Sequence, residues 1–244
     1  MSKSRRARFV ALSALLARHH PDLDPRAITD GRVLVDGRVL ANPAARVRVD
    51  ASIRVQPVRR LRGAIKLSHA LDVFTVTVDG RVAVDIGASA GGFTTALLER
   101  GTIRVYAVDV GVGQLLDRLR TDDRVINLEG RNLANISPST VPEPVGLITM
   151  DLSYLPVAVA VPQLAPLSIA DAADLIVLVK PTFELRRATL ARSDDDITEA
   201  IRRATDAMIR CGWIISGACA APTTGRGGAR EAFIHARYAH GTVA

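Results

Sequence analysis

The segment Val82 to Leu97, VAVDIGASAGGFTTAL, is an apolar strand that runs into a glycine turn and then a helix. It restricts the fold more than any other stretch of the chain, because a buried strand that passes directly into a helix belongs in a sheet covered by helices. Gly87, Gly91 and Gly92 remove the Cβ atoms that would keep a ligand off the backbone, and Asp85 places a carboxylate at the strand's end. A dinucleotide fingerprint reads GxGxxG and turns a helix N-terminus toward a pyrophosphate. Here the glycines stand at the first, fifth and sixth positions behind an acid. That arrangement disfavours an anion and suits a nucleotide-like cofactor with a cationic amino-acid end. S-adenosylmethionine is such a cofactor; a tight strand-to-helix connection without a ligand is the alternative reading.

From Arg81 onward strands and helices alternate. Apolar strands at 82–85, 103–108, 124–128, 145–150 and 174–179, separated by helical stretches, specify a parallel sheet wrapped on both faces. A helix over 194–210 and two closing strands near 213–218 and 231–237 complete this α/β body. The N-terminal part is different. Val10, Leu12, Leu15 and Leu16 fall at helical spacing within residues 8–19, and a second short helix is expected over 24–30 after the Pro21 break. Val33 and Val35, an Asp36-Gly37 turn, then Val39 and Leu40 predict a hairpin with a type I′ turn. Proline and packed positive charge in Gln56 to Arg62 mark a linker. The expected division is a small α+β domain at 1–56, a linker at 57–62 and the α/β domain at 63–244.

Charge separates these parts further. Residues 1–66 hold 15 Lys and Arg against 5 Asp, a net of +10, whereas the remainder holds 17 basic and 20 acidic residues. A basic module on a mildly acidic body is the footprint of phosphate-backbone binding. The longest apolar stretch, Leu155 to Leu167, is broken by Pro156, Pro162, Gln163 and Pro166 and is too short to cross a membrane. The N-terminus mimics a signal peptide, but Arg18, His19 and His20 follow the apolar run without a small-residue cleavage site, so a cytoplasmic protein is expected. Five scattered histidines show no metal-ligand spacing and no protein-bound metal is expected; Cys211 and Cys219 read as buried free thiols.

The chain has 29 arginines and only three lysines. Lys3 is terminal, which leaves Lys66 and Lys180 as positions where something arginine lacks is required. That property is a labile proton, since a guanidinium stays charged while a desolvated ammonium beside another cation can act as a base. A structural ion pair is the competing reading for either. Lys180 ends the strand LIVLV before Pro181, and Asp151 follows the strand at 146–150, so both lie where open parallel sheets bind ligands.

Four separated segments, RGAIKLSHALDVF at 62–74, the glycine turn, MDLSYLP at 150–156 and LVKPTFE at 178–184, occur in an order that resembles the TlyA-type proteins. These are FtsJ-like RNA 2′-O-methyltransferases with a small N-terminal RNA-binding domain, once called haemolysins. The resemblance implies a Rossmann-like, seven-stranded S-adenosylmethionine-dependent methyltransferase fold with one antiparallel strand. It also implies an N-terminal domain of the ribosomal-protein type. Matched residue by residue, the family's Lys-Asp-Lys-Glu tetrad falls on Lys66, Asp151, Lys180 and Glu231. In this role Lys180 orients or deprotonates the hydroxyl, and Asp151 and Glu231 hold the two lysines.

The matched cofactor positions are Asp85, Gly87, Ser89, Gly91, Gly92, Phe93, Asp109 and Asn132, with Glu129 competing with Asn132. Expected RNA contacts are Arg5, Arg6, Arg8, Arg18, Arg26, Arg59, Arg60 and Arg62, and the expected partner is ribosomal RNA or a ribosomal subunit. Three other functions compete with methylation of a ribose 2′-hydroxyl. A non-catalytic RNA-binding or ribosome-assembly protein would keep the fold without turnover. A haemolysin would need a pore-forming segment that the chain lacks. A small-molecule methyltransferase would leave the appended basic module unexplained.

Overall fold

The computed structural model describes residues 8–29, 32–57, 60–186 and 193–238. The chain divides into two compact units, Met1–Arg60 and Leu61–Ala244.

In the first unit, strand β1 (Phe9–Ala11) leads into helix α1 (Leu12–His19), followed by α2 (Arg26–Thr29), β2 (Val33–Val35), β3 (Arg38–Val39), β4 (Arg46–Arg48) and β5 (Ile53–Val55). Leu12, Leu15 and Leu16 pack with Ala27, Ile28, Val33, Val35 and Val47 into a core of its own. Asp36 and Gly37 both have positive φ, +48° and +81°, as the mirror-image hairpin turn between β2 and β3 requires. The helix expected over 8–19 starts only at Leu12. Phe9, Val10 and Ala11 are extended and pair antiparallel with Arg48, Val47 and Arg46. That partner strand lies far along the chain, so a local helical period could not announce it.

The second unit opens with α3 (Arg62–Val73), so Arg62 belongs to a helix and not to a linker. Then follow β6 (Val82–Ile86), α4 (Gly92–Glu99), β7 (Arg104–Asp109), α5 (Asp117–Arg120), β8 (Val125–Glu129), β9 (Val145–Met150), α6 (Val157–Ala160), β10 (Ile169–Val179), α7 (Pro181–Glu184), α8 (Asp194–Arg210), β11 (Trp213–Ala220) and β12 (Ala232–Tyr238). The sheet has seven strands in the order β11-β12-β10-β9-β6-β7-β8. β6, β7, β8, β9 and β10 run parallel, while β12 is antiparallel to both β10 and β11. β10 is longer than its expected 174–179, reaching back to Ile169 across a register shift, with Ala172 at φ +56°.

Two apolar layers cover the sheet. Val84, Ile86, Leu175, Val177 and Val179 meet Ala200, Ala204 and Met208 of α8 on one face. On the other, Ala83, Ile176 and Leu178 meet Leu67 and Leu71 of α3 and Phe93 and Leu97 of α4. Alternate residues of one strand thus serve both layers, which explains the unbroken apolar runs. Ser193 caps α8 by accepting the Asp196 amide at 3.1 Å, and three aspartates occupy its first turn, where the helix dipole favours them. Among the described residues no helix is long and apolar enough to cross a membrane.

The topology sets the location of the site. Chain order runs outward from β6 to β7 and β8 on one side and continues through β9 and β10 on the other, so the crevice opens at the carboxyl ends of β6 and β9. Because β12 is antiparallel, its first residues arrive at this same edge.

Candidate active site

Asp151 and Lys180 directly follow β9 and β10, and Glu231 directly precedes β12, which brings all three to the carboxyl edge. Lys66 reaches it from the buried face of α3. The four side chains form two ion pairs, Lys66 Nζ with Glu231 Oε2 and Lys180 Nζ with Asp151 Oδ1. The first pair is almost closed to solvent, with side-chain exposures of 9% and 6%; the second is more open at 14% and 25%. Lys180 also donates to Ser153 Oγ at 2.7 Å. Gly225 lies directly against Glu231, leaving no room for a side chain there.

Two cavities flank these pairs. One of about 570 Å³ is bordered by Ser153, Lys180, Thr182, Phe183 and Glu231. The other, about 340 Å³, is bordered by Gly63, the turn Gly87–Ala90, Gly92, Phe93 and Asp151. A separate cavity of about 440 Å³, at Leu164, Trp213 and Tyr238, lies where β11 starts and β12 ends. This is the opposite edge of the sheet, away from the lysine–carboxylate pairs.

The glycine turn is built for close approach. Gly87 has φ +82°, and a Cβ on it would stand 2.5 Å from the Asp151 carbonyl oxygen. Gly91 caps α4 at φ +87°, and a Cβ on Gly92 would come within 2.9 Å of Gly63 Cα, so α3 and α4 touch through two glycines. Ser89, at φ +47°, donates its amide to Asp109 Oδ2 at 2.8 Å, and Gly111 donates to Asp109 Oδ1 at 2.7 Å. These amides aim Asp109 across the turn.

Asp85 departs from the expectation. It is fully buried, and its carboxylate accepts from Thr94 Oγ1 at 2.6 Å and Thr149 Oγ1 at 3.0 Å. It does not face the cavity; it ties the end of β6 to α4 and β9. Burial pushes its carboxyl up to about 6, against the pull of both threonines. Phe93 is also buried, with its ring 6.0 Å from that of Phe233, and contributes a wall.

Asn132 is exposed and does not border the turn's cavity; its Oδ1 accepts the Ala134 amide at 3.0 Å and caps a short 3₁₀ turn. Its competitor Glu129 receives the Gln114 and Leu115 amides at 2.6 and 2.9 Å and the Asn127 side chain at 2.9 Å. Those bonds, that from Asn127 first, hold its carboxyl down to about 2.

Of the arginines expected to meet RNA, Arg5, Arg6 and Arg59 lie outside the described residues. Arg8, Arg18, Arg26, Arg60 and Arg62 are exposed. Arg26 is paired with Asp24 at 2.7 Å, which neutralises it, and Arg62 donates to the Thr224 carbonyl within the second unit. Among the described residues no cluster of His, Cys, Asp or Glu could hold a metal, and Cys211 and Cys219 are unbridged and half-buried.

A sequence profile of FtsJ-like methyltransferases matches residues 59–238. The chain belongs to the FtsJ-like methyltransferase family. Within it the chain is of the TlyA type. It is 39% identical over 188 residues to a Mycobacterium tuberculosis protein named 16S/23S rRNA (cytidine-2′-O)-methyltransferase TlyA, covering 72% of this chain and 67% of that one. A Campylobacter jejuni protein named 23S rRNA (cytidine-2′-O)-methyltransferase TlyA is 28% identical over 180 residues, 71% of this chain and 69% of its own. A solved Streptococcus thermophilus structure that carries the haemolysin name superposes with TM-score 0.71 at 27% identity, over 95% of this chain and 89% of that chain.

For this FtsJ-like chain the sequence reading missed Ser153, Thr94 and Thr149. Ser153 stands inside the MDLSYLP segment, two positions after Asp151, and that proximity is its only signal.

Proposed function

We propose that this protein transfers the methyl group of S-adenosylmethionine to a ribose 2′-hydroxyl of ribosomal RNA. The observation that carries the reading is the convergence of two lysine–carboxylate pairs on the sheet edge beside a glycine-walled cavity. The names of the Mycobacterium and Campylobacter relatives point to the same substrate.

The residues at the turn fit the cofactor. Gly87 and Gly92 let the turn close against the Asp151 carbonyl and against α3, Gly87 to Ala90 wall the smaller cavity, and Asp109, at the end of β7, offers a carboxylate for a ribose diol. When bound, S-adenosylmethionine supplies an electrophilic methyl group on a sulfonium, a transfer that needs no metal. The chain's own task is to align the hydroxyl and relieve it of its proton. Lys180, the more open of the two lysines, borders the larger cavity and does this work. Asp151 and Ser153 orient its ammonium, while Glu231 and Lys66 brace the opposite wall. Asp85 acts from behind, keeping the end of β6 in register with α4. The first unit, with exposed Arg8 and Arg18, is an RNA-binding domain of the ribosomal-protein type that engages phosphates. A ribosomal substrate places the work in the cytoplasm.

The test is transfer of labelled methyl groups to ribosomal subunits that lack the modification. Wild type labels RNA, and Lys180→Arg, which keeps the charge but not the labile proton, loses about 100-fold or more in turnover while retaining cofactor affinity. Full activity in Lys180→Arg would remove the proton-transfer role. Absence of label with wild type on intact and partly assembled subunits, despite cofactor binding, would leave a non-catalytic RNA-binding protein.

A further inference from the structure

The turn after Lys180 carries an acid that the chemistry above does not use. Glu184 ends α7 and is only 6% exposed. Its Oε1 accepts the amide of Val157, the first residue of α6, at 2.7 Å, and its Oε2 is sealed from solvent with no hydrogen-bond partner among the described residues. Behind it, the Lys180 carbonyl accepts the amides of Phe183 and Glu184 at 2.9 and 3.2 Å, so Glu184 and Lys180 belong to one rigid turn. Val157 closes the loop that begins at Asp151 and contains Ser153. One carboxyl group therefore joins the two loops whose side chains meet at Lys180 Nζ.

We propose that Glu184 is a positioning residue, which clamps the Asp151–Ser153 loop to the Lys180 turn and so keeps Lys180 aimed at its substrate. The inference rests on the reading of the site given above.

The clamp has two settings. A carboxylate accepts an amide hydrogen bond about twice as strongly as a neutral acid does, but burial opposes ionisation. Burial pushes the Glu184 carboxyl up to about 7, against the Val157 amide and Arg203. Among the described residues the charged groups that face it are few. From α8, Arg203 reaches the Glu184 carbonyl at 3.5 Å, and Asp206 and Arg210 border the same cavity of about 380 Å³. Arg186 stands on Glu184's own side, and the α6 side supplies only Pro156, Ala158 and Val159. Arg203 is also held by Glu199 at 2.7 Å, which draws its charge away. The carboxyl thus changes state within the working pH range, and the clamp tightens as pH rises through about 7.

The experiment is a pH–rate profile at saturating cofactor for wild type, Glu184→Gln and Glu184→Leu, with cofactor affinity measured on each. Gln keeps an acceptor for Val157 but cannot ionise: its turnover at pH 7 stays within about threefold of wild type and loses the inflection near neutrality. Leu has no acceptor, so turnover falls about tenfold or more while cofactor affinity holds. Wild-type turnover in the Leu variant, or an unchanged inflection in the Gln variant, would overturn the proposal. Should Leu fail to fold, the Gln profile decides alone. If wild type transfers no methyl group to RNA, the functional reading has failed and the amide of Val157 decides the clamp. Its exchange protection then steps near pH 7 in wild type and not in Glu184→Gln; identical curves would sink it.

Discussion

Lys66 and Glu231 stand 165 residues apart in sequence and hold each other almost out of water, with side-chain exposures of 9% and 6%. Removing either partner strands a charge in a site that water barely reaches. Lys66→Met and Glu231→Leu should therefore each cost about 3–5 kcal/mol, the range for breaking a buried pair from one side. For a protein of this size that lowers Tm by roughly 6–20 °C. The double variant removes both charges and leaves two apolar chains of similar volume, so its stability returns close to wild type. Activity, however, should be lost in all three. Urea unfolding with an unchanged slope measures the stabilities, and methyl transfer to ribosomal subunits measures the activity. The coupling between the two sites should be at least about 2 kcal/mol. If the singles each cost under about 1 kcal/mol and add to within about 0.5 kcal/mol in the double, the pair is not the buried, mutually dependent unit described here. Recovery of stability together with activity would show that the pair only supports the fold.

Asp85 supplies a pH prediction. Its folded carboxyl titrates at about 6, above the unfolded value of 3.8, so its contribution is fully present below pH 3.8 and fades as pH rises through 6. The contribution is about 3 kcal/mol, and the difference between wild-type and Asp85→Asn unfolding curves from pH 4 to 8 should show it; a difference independent of pH would refute the assignment. Gly87→Ala forces a side chain into φ +82° at about 1–2 kcal/mol and drives a Cβ against the Asp151 carbonyl. Cofactor affinity by calorimetry should fall along with Tm, and no change in either would mean the turn is slacker than its geometry. Alanine at Arg8 or Arg18 should each lower the salt-dependence slope of RNA binding by about 1, whereas an unchanged slope would take that arginine out of the interface.

Much of the α/β unit was legible because its signals are local. Residues 82–86 lie inside the sheet and, Asp85 apart, read as apolar sequence, and the glycines at 87, 91 and 92 carry the φ values or close contacts that exclude other residues. The helix over 194–210 was equally legible, and in the structure Ser193 caps it before an acidic first turn. Legibility failed where a residue's state depends on a distant partner. Val10 has helical spacing with Leu12 and its neighbours, yet it is extended because Val47 offers it a strand. Asp85 reads as a ligand-facing acid, yet Thr94 and Thr149 enclose it.

The same division runs through the site. Rarity in an arginine-rich chain marks Lys66 and Lys180, and strand ends mark Asp151 and Lys180, so the chemical cast and its sheet edge are written in the sequence. Which lysine meets which acid is not. Glu231 reaches the edge because β12 runs against its neighbours, and α3 crosses the sheet face at the height where Lys66 finds it. Burial of Asp85 and the Glu184–Val157 bond arise in the same way. Periodicity encodes which face of an element is buried, because the backbone repeat is local; pairing across many tens of residues is settled only when strand order and direction bring distant segments together.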